Sequence, residues 1–320
     1  MECETQSGFA DVSVIVAAYQ ANDTIIRALA SIAAQTLKPF EVVVVDDGST
    51  DTTFEVTKAY EPHMNGIKLL VSKSKTNEGA GSARNHAINL SSGTTLAFLD
   101  ADDEWLPKKL ERSMYYLARS DYYFVAHDYW VGEHENAVHH DCQRRFYEGD
   151  DAFKALYRKG YIPSCSVVAP RERIIAAGGF DPSLRNAQDF DLWLAMTSDP
   201  TATFLVFGEP LLRYHMSNDG IMGHTARRLK CCLLIARRYM PDLKKRSGSG
   251  LFSVWFRVMA LHFEAISAFA KKGFYVQLLM TASSFPFSLI KMTGLYFFGT
   301  SCQKGKNLGR NFLAENTDEK

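Results

Sequence analysis

Short apolar segments alternate with helical patterns four times within the first hundred residues of the chain. The apolar segments are rich in β-branched residues and are typical of buried strands at 12–18, 40–45, 67–71 and 96–99. A helical pattern or a helix-opening sequence lies between successive strands. Strands and helices that alternate in this way pack as a mostly parallel sheet with helices on both faces. The sequence therefore predicts a doubly covered α/β fold.

Acidic side chains follow two of these strands at the point where each strand ends. Asp46 and Asp47 follow the second strand, and four carboxylates lie within residues 100–104 after the fourth. The carboxyl ends of parallel strands meet at one edge of a sheet, where open α/β sheets bind ligands. Carboxylates this close repel one another unless a cation lies among them, and Mg²⁺ binds one or two carboxylates together with phosphate oxygens. The sequence therefore predicts a site for a divalent cation and a phosphate-bearing ligand.

The chain divides by charge near residue 220. Residues 1–220 contain 20 Lys and Arg against 31 Asp and Glu, whereas residues 221–320 contain 16 against 5. Strand and helix patterns continue to about residue 214, and the polar, irregular segment 134–150 is interpreted as a surface loop or an excursion near the substrate. From residue 225 the pattern is helical, aromatic and basic. We predict an α/β domain over 1–220 and a helical C-terminal region over 221–320.

Composition also restricts the compartment and the partners. The six cysteines form no C-x-x-C pair, which is typical of scattered thiols in a reducing compartment. Basic and large apolar residues alternate through 225–310, a pattern that favours helices lying on an anionic membrane; a packed helical cap with a solvated charged face is the alternative. Nucleic acid is not indicated, because the body of the chain is acidic and carries no binding motif. We expect a cytoplasmic protein, peripheral at the inner face of the cell membrane.

Six motifs, taken together and in order, resemble those of the family 2 glycosyltransferases of the GT-A fold. They are VIVAAY (14–19), VVDDGSTD (44–51), NEGAGSARN (77–85), FLDADD (98–103), GGFD (178–181) and QDFDLW (188–193). The resemblance covers about residues 10–220. It implies a Rossmann-like sheet with a nucleotide-binding half over about 10–103 and an acceptor-binding half over 104–220.

The resemblance also implies an activity. The protein would be a metal-dependent, inverting transferase that uses Mg²⁺ or Mn²⁺. It would move one sugar from a nucleotide-sugar donor, UDP-linked, to a hydroxyl of a glycan or lipid-linked acceptor in surface polysaccharide or glycolipid synthesis. Two alternatives stay open at this point, a nucleotidyltransferase and a non-catalytic module that binds nucleotide sugars. A nucleotidyltransferase would carry a Gly-rich, basic loop directly after the first strand, where this chain has residues 19–22, Tyr-Gln-Ala-Asn.

A group of residues near the strand ends would bind the nucleotide, as the resemblance implies. Asp46 would accept the uracil imide N–H, because a carboxylate is acceptor-only, while Asp47 would lie near the nucleoside or only stabilise its own turn. The ring of Tyr19 would pack on the base, or be a core aromatic. Arg84 would contact the diphosphate or orient Asp100, unless it forms only a surface ion pair. The full group is Ala17, Tyr19, Asp46, Asp47, Gly79, Arg84, Asp100 and Ala101, in which Gly79 opens a helix whose N-terminus favours anions.

Asp102 is the predicted metal ligand. Asp100 would contact ribose or a metal-bound water. His215 would be a further ligand or phosphate contact, although a lone histidine is also a common structural residue. A cation held there would neutralise charge as the nucleoside diphosphate departs.

Asp189 is the predicted catalytic base. It would take the proton of the acceptor hydroxyl during a single displacement with inversion. The family's usual Glu-Asp pair is Gln188-Asp189 here, and the missing neighbouring charge should lower the pKa of Asp189. Asp191 faces a different side of the predicted helix and is expected to be structural.

Overall fold

A computed structural model of the protein describes residues 9–132, 134–146, 151–215 and 224–299. Strands and helices alternate over residues 10–100, as the sequence predicts, and a short strand and a helix follow up to residue 117. The elements there are β1 (Ala10–Ala18), α1 (Ile25–Ala33), β2 (Pro39–Asp46), α2 (Thr53–Ala59), β3 (Lys68–Lys73), α3 (Ala80–Leu90), β4 (Thr95–Asp100), β5 (Glu104–Trp105) and α4 (Lys109–Leu117), with a 3₁₀ turn at Glu61–His63.

Shorter elements follow up to residue 214, and four helices complete the described chain. The elements are β6 (Phe124–His127), β7 (Tyr129–Val131), β8 (Val138–His140), α5 (Cys142–Phe146), α6 (Ala152–Lys159), β9 (Val168–Pro170), α7 (Arg171–Ala176), α8 (Gln188–Met196), β10 (Phe204–Phe207), β11 (Leu212–Tyr214), α9 (Thr225–Arg238), α10 (Met240–Lys244), α11 (Gly250–Lys271) and α12 (Tyr275–Phe298). Two further 3₁₀ turns lie at His134–Asn136 and Ser164–Ser166.

Seven strands form the central sheet in the order β10-β6-β9-β4-β1-β2-β3. Strand β9 runs antiparallel to both of its neighbours, and the other neighbouring pairs are parallel, so the predicted mostly parallel sheet is confirmed. The chain builds β1, β2 and β3 outward and then returns to the other side of β1 to form β4. The strand order therefore reverses between β1 and β4, where open sheets leave a crevice at their carboxyl ends.

The inner strands are buried on both faces. Residues 42–45 of β2 and 96–99 of β4 have no exposed surface. Such continuous apolar runs, in place of alternation, are typical of parallel strands covered by helices on each face. The apolar core thus lies directly behind the strand ends that carry the acids, and it holds those ends in fixed positions.

A second, four-stranded sheet has the order β5-β11-β7-β8. Strand β11 pairs antiparallel with β5, which places Arg213 opposite Glu104. This pairing brings the chain after β11 back to the acid cluster that follows β4. The central and the second sheet are joined through Asp128, which separates β6 from β7; its carboxylate is buried and accepts the Gln143 N–H at 2.8 Å.

Residues 122–131 contain two strands, β6 and β7, because the chain passes from one sheet to the other at Asp128. One expectation for this part of the chain was wrong in part. The segment 134–150 is not irregular throughout, since it contains a 3₁₀ turn, β8 and α5, while residues 147–150 lie outside the described ones. Strand β8 is exposed on every residue and has one apolar side chain, Val138, so its backbone pairing with β7 leaves no hydrophobic pattern in the sequence.

The C-terminal helices α9, α10 and α11 pack on the α/β body. Ile235 and Val258 are fully buried, the Tyr157 hydroxyl donates to the Ala236 carbonyl at 2.8 Å, and Arg246 pairs with Asp151 at 2.8 Å. These three helices therefore form a packed cap, which was the alternative to membrane contact. Helix α12 differs, because Thr281 and Met292 are its buried residues and it packs mainly on α11.

By length and composition, α11 is the one helix among the described residues that is apolar enough to cross a membrane. Its inward face, however, contributes Val254, Val258 and Leu261 to the buried core. A helix whose apolar residues fill the core of the same chain passes such a test without spanning a bilayer. We therefore assign α11 to the cap.

Candidate active site

Strand register brings several of the predicted residues to one edge of the central sheet. On β1, Ala17 lies opposite Asp100 of β4, and Ala18 lies opposite Asp46 of β2. Neighbouring strands are about 4.8 Å apart, so the two acids flank the end of β1 at roughly twice that spacing. Tyr19 follows β1 at the same edge and is half exposed. Residues that are distant in sequence thus meet at one edge of the sheet.

The turn after β2 is held by its own two carboxylates. Asp46 Oδ1 accepts the Ser49 N–H at 2.9 Å. The two oxygens of Asp47 accept the N–H groups of Glu78 and Gly79 at 2.9 and 2.7 Å. Burial raises the pKa of Asp47, while these two backbone donors lower it. Asp47 therefore ties the segment before α3 to the end of β2, and its charge lies at the N-terminus of that helix.

Gly48 allows the two segments to approach this closely. Its φ is +74°, and a Cβ there would lie 2.7 Å from the Thr76 carbonyl carbon. No side chain fits in that space, and an L-residue would also be strained at that φ. The second oxygen of Asp46 accepts no hydrogen bond among the described residues, although Lys73 Nζ lies 3.5 Å away. The interaction of Asp46 with uracil stays a prediction.

Arg84 of α3 lies against Asp100, with Nη2 at 2.5 Å from Oδ1, and its guanidinium lies 5.3 Å from the centre of the Phe180 ring. Burial lowers the pKa of Arg84, but the charge of Asp100, its hydrogen bond and weaker charges nearby together raise the pKa by more, so the guanidinium is charged. The structure thus shows an ion pair between Arg84 and Asp100, and the predicted contact of Arg84 with the diphosphate stays a prediction. The Asp100 side chain is nevertheless 29% exposed, which leaves its second oxygen for a ligand.

Asp102 lies beside Asp100 in an environment that disfavours its charge. Burial and then the charge of Asp100 raise the pKa of Asp102 to about 6. Arg27 of α1 counters this in part, and its Nη2 donates to the Asp102 carbonyl at 2.6 Å. A carboxylate beside a like charge gains most from a bound cation, because the cation removes the repulsion.

Asp103 and His215 connect the acid cluster to the second sheet. Asp103 is fully buried, and its Oδ1 accepts the backbone N–H of His215 at 3.0 Å. Burial, followed by the charges of Asp102 and Asp100, raises the pKa of Asp103 well above its ordinary value. The His215 ring lies 3.6 Å from Glu104, measured from Nε2 to Oε2. Asp103 is thus a structural acid that holds the chain after β11 against the site.

Two sets of side chains in this cluster could hold a metal ion. Single ligand atoms of Asp100, Asp103 and Cys165 lie within 4.8 Å of one another. That set does not fit a hard divalent cation, because burial raises the pKa of the Cys165 thiol and keeps it protonated, and Mg²⁺ or Mn²⁺ prefers oxygen ligands. The carboxylates of Asp100 and Asp102 are partly exposed and offer the oxygen ligands that such a cation prefers, so their chemistry fits.

Asp189 lies in the first turn of α8, beside the same cluster. Its Oδ1 accepts its neighbour's N–H, that of Phe190, at 2.7 Å. Burial raises the pKa of Asp189; the charges of Arg84 and Arg228 lower it, and that of Asp100 raises it. These interactions place the predicted base within electrostatic range of the predicted nucleotide and metal residues. A desolvated carboxylate of raised pKa is suited to accept a proton near neutral pH.

Ala187, which precedes α8, was not found by sequence reasoning. It is left-handed, with φ of +59°, and it starts the turn that presents Asp189. A non-glycine residue in this region is strained, and such strain is concentrated at functional sites. Gln20, which follows Tyr19, is also left-handed, with φ of +50°, and its side-chain amide donates a hydrogen bond to the Thr50 hydroxyl. Neither residue type signals a left-handed backbone in the sequence.

Arg185 is a second residue that the sequence did not indicate. It is exposed, and a Cβ on Gly79 would lie 3.1 Å from its Nη1. Its charge lowers the pKa of Asp47. Arg185 therefore places a cation at the N-terminus of α3, where the diphosphate was predicted to lie.

Comparison with known proteins identifies the family. The model of "Glycosyl transferase family 2" matches residues 13–170. The Bacillus subtilis glycosyltransferase TuaG, named for teichuronic acid biosynthesis, is 30% identical over 220 residues, which cover 67% of this chain and 82% of that protein. The Escherichia coli protein "UDP-Glc:alpha-D-GlcNAc-diphosphoundecaprenol beta-1,3-glucosyltransferase WfgD" is 29% identical over 224 residues, covering 68% and 82%.

Solved structures agree in fold. A crystal structure of S. aureus TarS in complex with UDP-GlcNAc superposes with a TM-score of 0.65 at 19% identity, over 95% of this chain and 90% of that chain. These matches support neither a nucleotidyltransferase nor a non-catalytic module. The chain belongs to glycosyl transferase family 2, and it is a glycosyltransferase of the GT-A type.

Proposed function

We propose that the protein transfers one sugar from a UDP-linked donor to a hydroxyl of a glycan or lipid-linked acceptor, with inversion and with a divalent cation. One observation carries the proposal. Asp100, Arg84 and Asp189 come from three separate motifs, and the structure brings them within electrostatic range of one another. Such a site has two acids that could bind a metal and a desolvated carboxylate that could accept a proton. Both are needed for a displacement that releases a nucleoside diphosphate.

The donor would lie along the carboxyl ends of β1, β2 and β4. The nucleoside would contact Asp46 and Tyr19, and the diphosphate would approach Asp100 and the N-terminus of α3. Asp102, with Asp100, would hold Mg²⁺ or Mn²⁺, and His215 stays a candidate for a further ligand. A cation bound there supplies charge neutralisation for the departing diphosphate.

Asp189 would act as the base. The acceptor oxygen forms a bond to the anomeric carbon while the bond from that carbon to the diphosphate oxygen breaks. The hydroxyl proton passes to Asp189, and UDP leaves with the bonding electrons. Because the acceptor attacks opposite the leaving group, the anomeric configuration inverts and no glycosyl-enzyme forms. Arg84 contributes by holding Asp100 in place beneath the donor.

The acceptor class is inferred from relatives and from the surface. WfgD is named for a diphosphoundecaprenol-linked acceptor, which is a lipid. Helix α12 exposes large apolar side chains, among them Phe287 at 73% and Ile290 at 70%. Residues 265–299 contain Lys271, Lys272 and Lys291 and no acid. An apolar helix with basic residues favours an anionic membrane surface, and this placement would give a cytoplasmic enzyme access to a lipid-linked acceptor.

The variant Asp189→Asn tests the proposal. We expect it to release UDP from UDP-glucose or UDP-GlcNAc at no more than about a hundredth of the wild-type rate, because general-base catalysis contributes 10²- to 10⁴-fold. It should still bind UDP in the presence of Mn²⁺. Asp23→Asn changes an exposed aspartate outside the site and should match the wild type. Full turnover by Asp189→Asn would contradict the assigned base.

A further inference from the structure

Each residue of the turn 189–191 is contacted or influenced by an arginine from the C-terminal helices. Arg238 of α9 bonds to Asp191 at 2.9 Å and to Asp181 at 2.7 Å. Both carboxylates are almost fully buried, so the guanidinium bridges two charges that have little access to water. The structural role expected for Asp191 thus includes a link from α8 to a helix outside the α/β domain.

Arg257 of α11 holds the middle residue of the turn. Its guanidinium lies 4.4 Å from the centre of the Phe190 ring, and the arginine is 5% exposed. Gly160, with φ of +78°, makes room for it, since a Cβ there would lie 2.2 Å from Arg257 Nη1. The backbone N–H of Phe190 is the donor that fixes Asp189 Oδ1. Arg257 therefore packs on the residue that orients the base.

Arg228 of α9 is held by two partners, one of them on α11. Its Nε lies 3.1 Å from Glu264 Oε1 of α11, and its guanidinium lies 5.1 Å from the centre of the Tyr161 ring. It is 12% exposed and lies close enough for its charge to favour ionised Asp189. Helices α9 and α11 thus hold a cation whose charge lowers the pKa of Asp189.

We propose that the C-terminal helices form part of the catalytic centre, in which Arg228, Arg238 and Arg257 are positioning residues for the base turn 189–191. This proposal rests on the proposed role of Asp189. The side of α9 and α11 that packs on the α/β body would then position the base, independently of any contact that α12 makes with lipid. Removal or displacement of the cap would impair the base even in an enzyme that still binds its donor.

Other charged groups also face Asp189. Arg84 from α3 favours its ionised form, and Asp100 from β4 opposes it. Tyr161 and Cys232 also sense its charge, and burial raises the pKa of each, so both are neutral near pH 7. Neutralising Arg228 therefore removes a positive charge that, with Arg84, favours ionised Asp189 among the described residues, and the pKa of Asp189 should rise.

The test measures the pKa of Asp189 by carboxyl ¹³C NMR in full-length, metal-free protein, with the signal assigned through Asp189→Asn. Arg228→Gln should raise that pKa by on the order of one unit, and Arg228→Lys should restore it in large part. The matched control is Arg237→Gln, an exposed arginine of the same helix, which should leave the pKa unchanged. UDP binding with Mn²⁺ should be retained in all three variants, because the donor residues are untouched.

A second measurement uses UDP release from UDP-glucose. Arg228→Gln should lower kcat by on the order of tenfold, with little change in KM for the donor, and should move the acidic limb of the rate profile to higher pH. A pKa and a kcat in Arg228→Gln that match Arg237→Gln would overturn the proposal, as would loss of UDP binding. Either outcome can be told apart from a wrong assignment of the base, because full turnover by Asp189→Asn would show that Asp189 is not the base.

Discussion

The donor side and the base side of the active site are built in different ways. On the donor side, Asp46 and Asp100 lie at the ends of strands whose own apolar residues form the core. On the base side, Asp189 lies on a short helix whose first turn is held by arginines from α9 and α11. The donor-side acids are therefore positioned by elements of the α/β domain, the strand ends together with Arg84 of α3, whereas the base turn also depends on helices α9 and α11.

The largest expected effect concerns the link between these regions. Arg238→Ala should lower the free energy of unfolding by about 3–5 kcal/mol, because it leaves two buried carboxylates without their shared cation. Urea unfolding followed by circular dichroism measures this. Arg237→Ala, at the adjacent exposed position, should change stability by no more than about 0.5 kcal/mol. Equal effects of the two variants would break the contrast, since the cap would then not depend on this bridge.

The next prediction concerns the exposed side of α12, which does not pack on the α/β body and is proposed to bind the membrane. The double variant Phe287→Ser/Ile290→Ser should weaken binding to phosphatidylglycerol vesicles at least on the order of tenfold, because each apolar side chain contributes roughly 1.5–3 kcal/mol when buried. Vesicle sedimentation measures it, and UDP release from a soluble assay should be unchanged. Val138→Ser, at an exposed position of β8, is the control. Binding that is equal on neutral phosphatidylcholine would contradict the role of the basic residues.

The smallest expected effect concerns pH and the donor side. Burial and Asp100 raise the pKa of Asp102 to about 6, above its value in the unfolded chain. The folded state therefore holds this proton longer than the unfolded state, and stability is lost as pH rises from about 4 to 6. Asp102→Asn should accordingly stabilise metal-free protein by roughly 1–3 kcal/mol, and by more at pH 7.5 than at pH 5.

Thermal unfolding at both pH values checks this prediction. Asp23→Asn supplies the control, since that side chain is exposed. Destabilisation by Asp102→Asn at pH 7.5 would show that Asp102 is a structural acid. The expected stabilisation, by contrast, would show that the Asp102 carboxylate lowers the stability of the folded protein, as residues needed for activity often do.

The donor-side acids could be predicted from the sequence because each of them directly follows a strand that is recognisable on its own. Asp46 and Asp100 follow continuous apolar runs, and parallel strands place such ends at one edge. The segment 134–150 was missed in part because β8 is held by backbone pairing and all of its side chains are exposed. Its hydrogen-bond partners lie in β7, which no local pattern reveals.

On the base side, Asp189 could be predicted from the sequence, but the contacts that hold it could not. The resemblance pointed to Asp189, but the left-handed backbone of Ala187 has no signature in its residue type. Arg237 and Arg238 are adjacent and identical in the sequence, yet the first is exposed and the second bridges two buried acids. Which arginine turns inward is decided by packing of α9 on the body, so composition alone assigned both to a basic surface.

Calorimetric titration of UDP into the purified full-length protein, with and without Mn²⁺, tests the central claim most directly. We expect one UDP to bind per chain with Mn²⁺, and binding to weaken at least on the order of tenfold without metal or in Asp102→Asn, because a shared cation joins the carboxylates to the diphosphate. Folded protein that takes up no nucleoside diphosphate with either Mn²⁺ or Mg²⁺ would contradict the claim that these acids form a donor site.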